Sequence, residues 1–242
     1  MRLTEPSAPR PHLRLPVILM AERLFPDIPA GETIREISPL PSDPNLRRIR
    51  VGRRVVARLR AAEVDRLGLA VGMTWSDALA EQVRLAVERG KARKRAFTAL
   101  GRKPLSRSEL IERLIRAGHD EETATAVADE LASDGWLDDA ALAREIVQQT
   151  LARRPAGRQL LIEKIRKRGI EEELDHTAVD EALDRDDPTE SALQLAEQRY
   201  RSMHSLPPAT AARRLAGLLH RRGFDDETVE TVINRMGLSD AE

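Results

Sequence analysis

Residues 110–118 read LIERLIRAG, residues 161–169 read LIEKIRKRG, and residues 215–223 read LAGLLHRRG. Each ends on a glycine, preceded at −8 and −4 by Leu110 and Leu114, by Leu161 and Ile165, or by Leu215 and Leu219. A spacing of four stacks two side chains on one helix face. A glycine just beyond is the residue favoured for the left-handed backbone that closes a helix. The glycines Gly118, Gly169 and Gly223 stand 51 and 54 residues apart. A three-helix unit of this length buries little surface alone, so neighbouring units must pack on one another.

Working outward, each glycine precedes a second amphipathic helix. These helices carry Ala124, Val127 and Leu131; then Val179, Ala182 and Leu183; then Val229, Val232, Ile233 and Met236. Further helices are expected over residues 140–151 and 189–203, completing the units. Ser106 and Glu109 form a capping-box pattern that opens the first unit. Its end reads Asp134-Gly135-Trp136-Leu137-Asp138-Asp139. Asp134-Gly135 signals a turn, Trp136 is expected as a buried inter-helix plug, and Asp138 or Asp139 as the next cap. Paired acids recur at Asp186-Asp187 and Asp225-Asp226. Neighbours along a helix do not face each other, so capping explains these pairs better than acid–base chemistry.

Upstream, residues 1–31 hold six prolines and read as a disordered tail, with Met20 a second candidate start. Residues 32–90 read as a small α/β segment. In it, residues 33–37 alternate, Pro39, Pro41 and Pro44 form a break, and residues 48–51 and 54–59 make a hairpin around Gly52. A short helix then closes near Gly68, Ser76 caps a helix running to Arg89, and after Gly90 the basic run Lys91, Arg93, Lys94 and Arg95 can continue a helix containing Phe97 and Leu100. The expected domains are residues 91–139, 140–188 and 189–242 for the three repeats. The fold class is mainly α: tandem three-helix repeats in an elongated, curved array behind the α/β segment.

Composition narrows the function. Aromatics are 2% of the 242 residues, so the core must be aliphatic, which suits packed helices, and base stacking is disfavoured. There is no cysteine, so disulfides and thiolate chemistry are excluded. The histidines are scattered, and no Walker loop, nucleotide fingerprint or zinc set is present, so no catalytic residue, metal or cofactor is expected. No apolar run approaches a membrane span, and a cytoplasmic location is expected. Forty Lys plus Arg balance forty Asp plus Glu, which opposes a wholly basic binder but permits separated basic faces. Three clusters stand out: Lys91, Arg93, Lys94 and Arg95; Arg153, Arg154, Arg158, Arg166, Lys167 and Arg168; and Arg213, Arg214, Arg221 and Arg222. Each is either a contact surface or a solvated face that offsets helix dipoles.

Residues 105–110 with Arg113 and Leu114, the 134–139 motif followed by Ala143, Gly157 with residues 161–170, and residues 215–224 together resemble the RecX family. The likeness covers about residues 92–237, and more loosely 32–90. An aromatic customary shortly after the paired acids is replaced here by Ala141 or Leu142. The resemblance implies a non-catalytic regulator of DNA repair that binds the RecA recombinase filament on single-stranded DNA. It would lie in the filament groove and limit ATP hydrolysis, strand exchange and co-protease activity. Single-stranded DNA would be met through the filament, with direct DNA binding weak at most. The three basic clusters are the expected contacts, while the repeat glycines and Trp136 are expected in folding roles. A helical DNA-binding or scaffold module without a recombinase partner is the alternative.

Overall fold

A computed structural model of the chain describes residues 28, 31–184, 187–203 and 205–238. The expected disordered tail lies almost wholly outside them. The chain divides into two compact units, residues 1–90 and 91–242.

The first unit holds an antiparallel sheet in the order β1 (Ile34–Leu40), β2 (Asp43–Val51), β3 (Arg54–Arg60), then α1 (Ala61–Arg66) and the start of α2 (Asp77–Leu100). Ile34, Ile49, Val51 and Leu59 from the sheet meet Val64, Trp75, Leu79 and Val83 in one core. The expected proline break is corrected: Pro39 and Pro44 lie inside strands. β1 is an edge strand with a register shift beside Pro39, and Pro44 precedes the first residue of β2 that pairs with β3, so neither missing N–H breaks a ladder. The helix capped by Ser76 also does not stop at Arg89. It passes through Gly90 to Leu100, and the buried Ala92, Ala96 and Ala99 hold that extension.

The second unit repeats one plan. The C-terminal part of α2 joins α3 (Arg107–Arg116) and α4 (Glu121–Ser133). Then come α5 (Asp139–Arg153), α6 (Arg158–Arg166) and α7 (Glu172–Leu183), and finally α8 (Pro188–Tyr200), α9 (Pro208–Arg221) and α10 (Asp226–Arg235). Each trio encloses its own core, centred on Leu110 and Leu114, on Leu161 and Ile165, or on Leu215 and Leu219. All six of these side chains are at most 1% exposed. Gly118, Gly169 and Gly223 take φ of 95°, 67° and 82°, the left-handed geometry that ends α3, α6 and α9. Asp138 and Asp225 accept from the backbone N–H groups of Ala141 and Thr228, both at 2.8 Å, so the paired acids cap helices.

The repeats join where a helix end meets a helix start. At the start of α6, Gly157 donates its N–H to the Arg222 carbonyl at 2.8 Å, and Gln159 donates to the Gly223 carbonyl at 3.2 Å. Orphan donors of one helix thus satisfy orphan acceptors of another, and the two dipoles align. The earlier junction is equivalent. The Ser106 hydroxyl donates to the Arg168 carbonyl, while Arg168 holds Glu109 at 2.6 and 2.8 Å and the Pro104 carbonyl at 3.0 Å. Asp139 adds a tie by accepting from the Arg107 N–H at 2.9 Å, at the cost of a burial that raises its pKa.

Two tests follow from these junctions. A Cβ on Gly157 would overlap the Gly223 carbonyl, whereas one on Gly118 meets nothing within 4 Å. Gly157→Ala is therefore expected to cost about 1–3 kcal/mol by forcing the junction apart. Gly118→Ala should cost only its backbone strain of about 1–2 kcal/mol. Tm measurements on Gly157→Ala alone decide the first point, since an unchanged Tm would remove the close junction.

The second concerns Glu109. Burial alone would raise its pKa, but the Arg168 hydrogen bonds, the Ser106 N–H and the charges of Arg168 and Lys103 together hold it below the ordinary value. A depressed carboxylate pKa stabilises the fold above the unfolded value of about 4.3, and that contribution is lost as pH falls through the folded value. Glu109→Gln keeps a capping-box side chain and removes the charge, at an expected cost of about 1.5–3 kcal/mol near neutrality. Urea titrations across pH should show the gap between variant and wild type closing in acid. A gap constant with pH would contradict the ionic tie.

Candidate anion-binding groove

The predicted basic residues separate into two groups by what they touch. Arg158 pairs with Asp180, Lys167 with Glu163, and Arg166 with Asp175 and Glu172, both at 2.7 Å. Arg168 is committed to Glu109 across the first junction. In the first cluster, Arg93 turns inward to Glu130 and Asp134 and lies over the Phe97 ring, 5.1 Å from its centroid. Arg95 donates to the Ala117 carbonyl at 3.0 Å, closing the end of α3, while Lys94 is exposed and Lys91 has a partner of its own. Lys94 apart, these groups already have partners within the fold.

The other group converges. Arg213, Arg214 and Arg221 lie along one side of α9, Arg199 ends α8, and Arg154 follows α5. Together they line a groove of 800 Å³, with Gln198 and Ser202 as further polar groups and Leu195, Met203 and Leu218 as its apolar floor. All five arginines are exposed, and none has an ion-pair partner among the described residues. Arg153 is exposed beside Arg154 without lining the groove. A Cβ on Gly217 would stand 3.3 Å from the Arg221 guanidinium, so the glycine lets that side chain lie close against α9.

Arg222 fixes this arrangement. Its guanidinium donates to the carbonyls of Pro155 and Arg154 at 2.8 Å, pinning the segment that carries Arg154 to the end of α9. Burial, then the Arg154 charge, lower its pKa, the sign expected where positive charge accumulates. Such a site recognises phosphate or carboxylate groups, for which guanidinium forks have matching geometry. No group of three or more His, Cys, Asp or Glu among the described residues is placed to hold a metal. No helix among them is long and apolar enough to cross a membrane.

Residues 92–131 match the model of the first three-helix domain of RecX, and residues 186–233 that of the third. A regulatory protein RecX of Amycolatopsis mediterranei is 31% identical over 143 residues, covering 59% of this chain and 81% of the relative. One from Thermobifida fusca is 33% identical over 134 residues, covering 55% and 72%. The chain belongs to the RecX family. The fold agrees: a crystal structure of regulatory protein RecX superposes with a TM-score of 0.73 at 18% identity, covering 84% of this chain and 99% of that one. RecX from Lactobacillus salivarius gives 0.56 at 18% identity, covering 62% and 97%.

Sequence reading missed Arg199 as a member of the groove, although Arg199-Tyr200-Arg201 was visible as a basic helix end. Trp136 requires a correction. It is 59% exposed, and the buried position falls to Leu137 at 6%. The turn at Gly135 sends the smaller Leu137 inward and leaves the indole edge-on to Phe97, with centroids 5.0 Å apart. Trp136→Ala should therefore cost about 0.5–1.5 kcal/mol, the worth of an aromatic pair. A loss of about 3–5 kcal/mol in equilibrium unfolding, typical of a core aromatic, would restore the buried plug.

Proposed function

We propose that this protein regulates the RecA recombinase by binding, without catalysing a reaction itself. On this reading it occupies the groove of RecA filaments on single-stranded DNA in the cytoplasm and limits ATP hydrolysis, strand exchange and co-protease activity. Family membership supports the regulatory role. The observation that carries the contact is the groove of Arg154, Arg199, Arg213, Arg214 and Arg221, none of which has an ion-pair partner among the described residues. Repeats joined end to end offer several modest contacts, and linked contacts on one filament reinforce one another through effective concentration. Of the paired cations, Arg168 ties repeat two to repeat one, Arg158 and Arg166 join α6 to α7, and Lys167 pairs along α6. Arg153 and Lys94 add flanking charge.

The test is single-stranded-DNA-dependent ATP hydrolysis by the cognate RecA on preformed filaments. The wild-type protein is expected to inhibit it. An Arg199→Gln/Arg213→Gln/Arg214→Gln variant with unchanged Tm should need roughly tenfold more protein for half-inhibition, a loss of about 1.4 kcal/mol in binding. An Arg158→Gln/Lys167→Gln control should inhibit like the wild type. Full inhibition by the groove variant would move the binding face elsewhere, and no inhibition or filament binding by the wild type would reject the reading.

A further inference from the structure

The chain as a whole is neutral, yet residues 32–60 carry eight arginines against three carboxylates, a net charge of +5, leaving −5 for the rest. This segment is the three-stranded sheet, and it lies outside both matched RecX domain models, the first of which begins at residue 92.

Register decides where the charge points. Paired residues of neighbouring strands share a face. One set of rows, Ile37–Ile49–Ala57 and Pro39–Arg47–Leu59, contributes the buried Ile49, Ala57 and Leu59. The alternate rows are Ser38–Arg48–Arg58 and Glu36–Arg50–Val55, on the face turned from the core. Register shifts beside Glu36 and Arg50 let Ile34, Val56 and Ala57 all point inward while keeping Glu36 and Arg50 outward.

Arg48 stands directly opposite Arg58, a like-charge pair that costs stability in a sheet. Nothing on this face offsets that cost well. Arg48 and Arg50 approach Glu36 only to 3.6 and 3.4 Å, and Arg48 reaches the Ser38 hydroxyl at 3.3 Å. Close charge-assisted hydrogen bonds are shorter, about 2.7–2.9 Å. The Nε–H groups of Arg48 and Arg50 have no acceptor, and the exposed Arg58 has no partner among the described residues. Arg48 and Arg58 therefore stem from backbone positions about 5 Å apart across strands, and Arg48 and Arg50 from positions about 7 Å apart along β2, with only weak interactions holding their side chains.

From this arrangement we infer that the outer face of the β1–β3 sheet binds the phosphate backbone of duplex DNA. A protein partner would need a cluster of apolar or aromatic anchors at the centre of the interface, and among the described residues this face offers Val55, opposite Arg50, and the half-buried Leu46, with no aromatic side chain. A single strand bound without sequence preference would call for stacking side chains, whereas Trp75, the aromatic of this described unit, is 6% exposed in the core. A duplex turns its phosphates outward and needs neither. Backbone binding of this kind positions DNA without reading its sequence. The site is independent of the arginine groove and of the recombinase reading.

The test uses the full-length chain, a labelled duplex of mixed sequence and anisotropy titrations at several salt concentrations. Relative to the wild type, Arg48→Gln/Arg50→Gln/Arg58→Gln should bind at least about tenfold more weakly and lower the salt slope by about 2–3, near 0.9 for each phosphate that is no longer neutralised. Glu36→Gln removes a competing carboxylate and should tighten binding several-fold, a gain that a damaged fold would not produce. Circular dichroism checks folding, and single Arg58→Gln replaces the triple variant if that unfolds. Wild-type affinity and slope in the arginine variants would overturn the proposal. So would loss of all duplex binding in Arg213→Gln/Arg214→Gln alone, or equal binding of polyglutamate through the same arginines.

Discussion

The second unit depends on helix ends meeting across repeats. An isolated helix of nine to fourteen residues, as α3, α6 and α9 are, leaves four donors and four acceptors unsatisfied at its termini. Here the carbonyls at the end of α9 take the first N–H groups of α6, and the carbonyl at the end of α6 takes the Ser106 hydroxyl at the start of α3. The left-handed Gly169 and Gly223 stop α6 and α9 so that their last carbonyls are presented to the preceding repeat. At the second junction both sides are glycine, Gly157 and Gly223, because either Cβ would displace backbone. A core of Leu, Ile, Val and Ala, almost without aromatics, suffices because each repeat closes its own small core and the junctions link them.

Those junctions also place the groove. Arg154 belongs to the end of α5, while Arg213, Arg214 and Arg221 belong to α9, so the site exists only if repeats two and three are held in register. Arg222 does this from beneath with hydrogen bonds to carbonyls on the Arg154 side. A residue read from sequence as a binding group thus acts as the strut that positions Arg154 against α9.

Much of the architecture was legible because it depends on local rules. The −8, −4 and 0 pattern marked six core residues and three helix ends, and the acid pairs marked caps. What failed depends on non-local packing. The residues after Gly90 read as helical, but their union with the Ser76 helix is not visible locally, because it is secured by alanines packing into the first repeat core. Trp136 is large and apolar, yet a one-residue difference in phase at the Gly135 turn gives the interior to Leu137. Pro39 and Pro44 look like breakers until the strand order places Pro39 on an edge strand beside a register shift and Pro44 ahead of the residues of β2 that pair with β3. The basic clusters were visible, but not which members were already neutralised, since the partners of Arg168, Arg158 and Arg166 lie 59, 22 and 9 residues away.

That last distinction explains why the basic groove forms at one junction and not the other. The arginine preceding the repeat glycine is Arg168 at the first junction and Arg222 at the second. Arg168 meets Glu109, nine residues before Gly118, and its charge is cancelled. The corresponding position nine residues before Gly169 is Leu160, which packs beside Gly223 and offers no carboxylate. Arg222 therefore binds neutral carbonyls, and its charge adds to that of Arg154 and the α9 arginines. A single exchange of Glu for Leu at equivalent places makes one junction a structural ion pair and lets the other gather uncompensated cations. Repetition supplies two copies of one joint, and divergence at that position gives one a structural ion pair and the other an arginine held by neutral carbonyls.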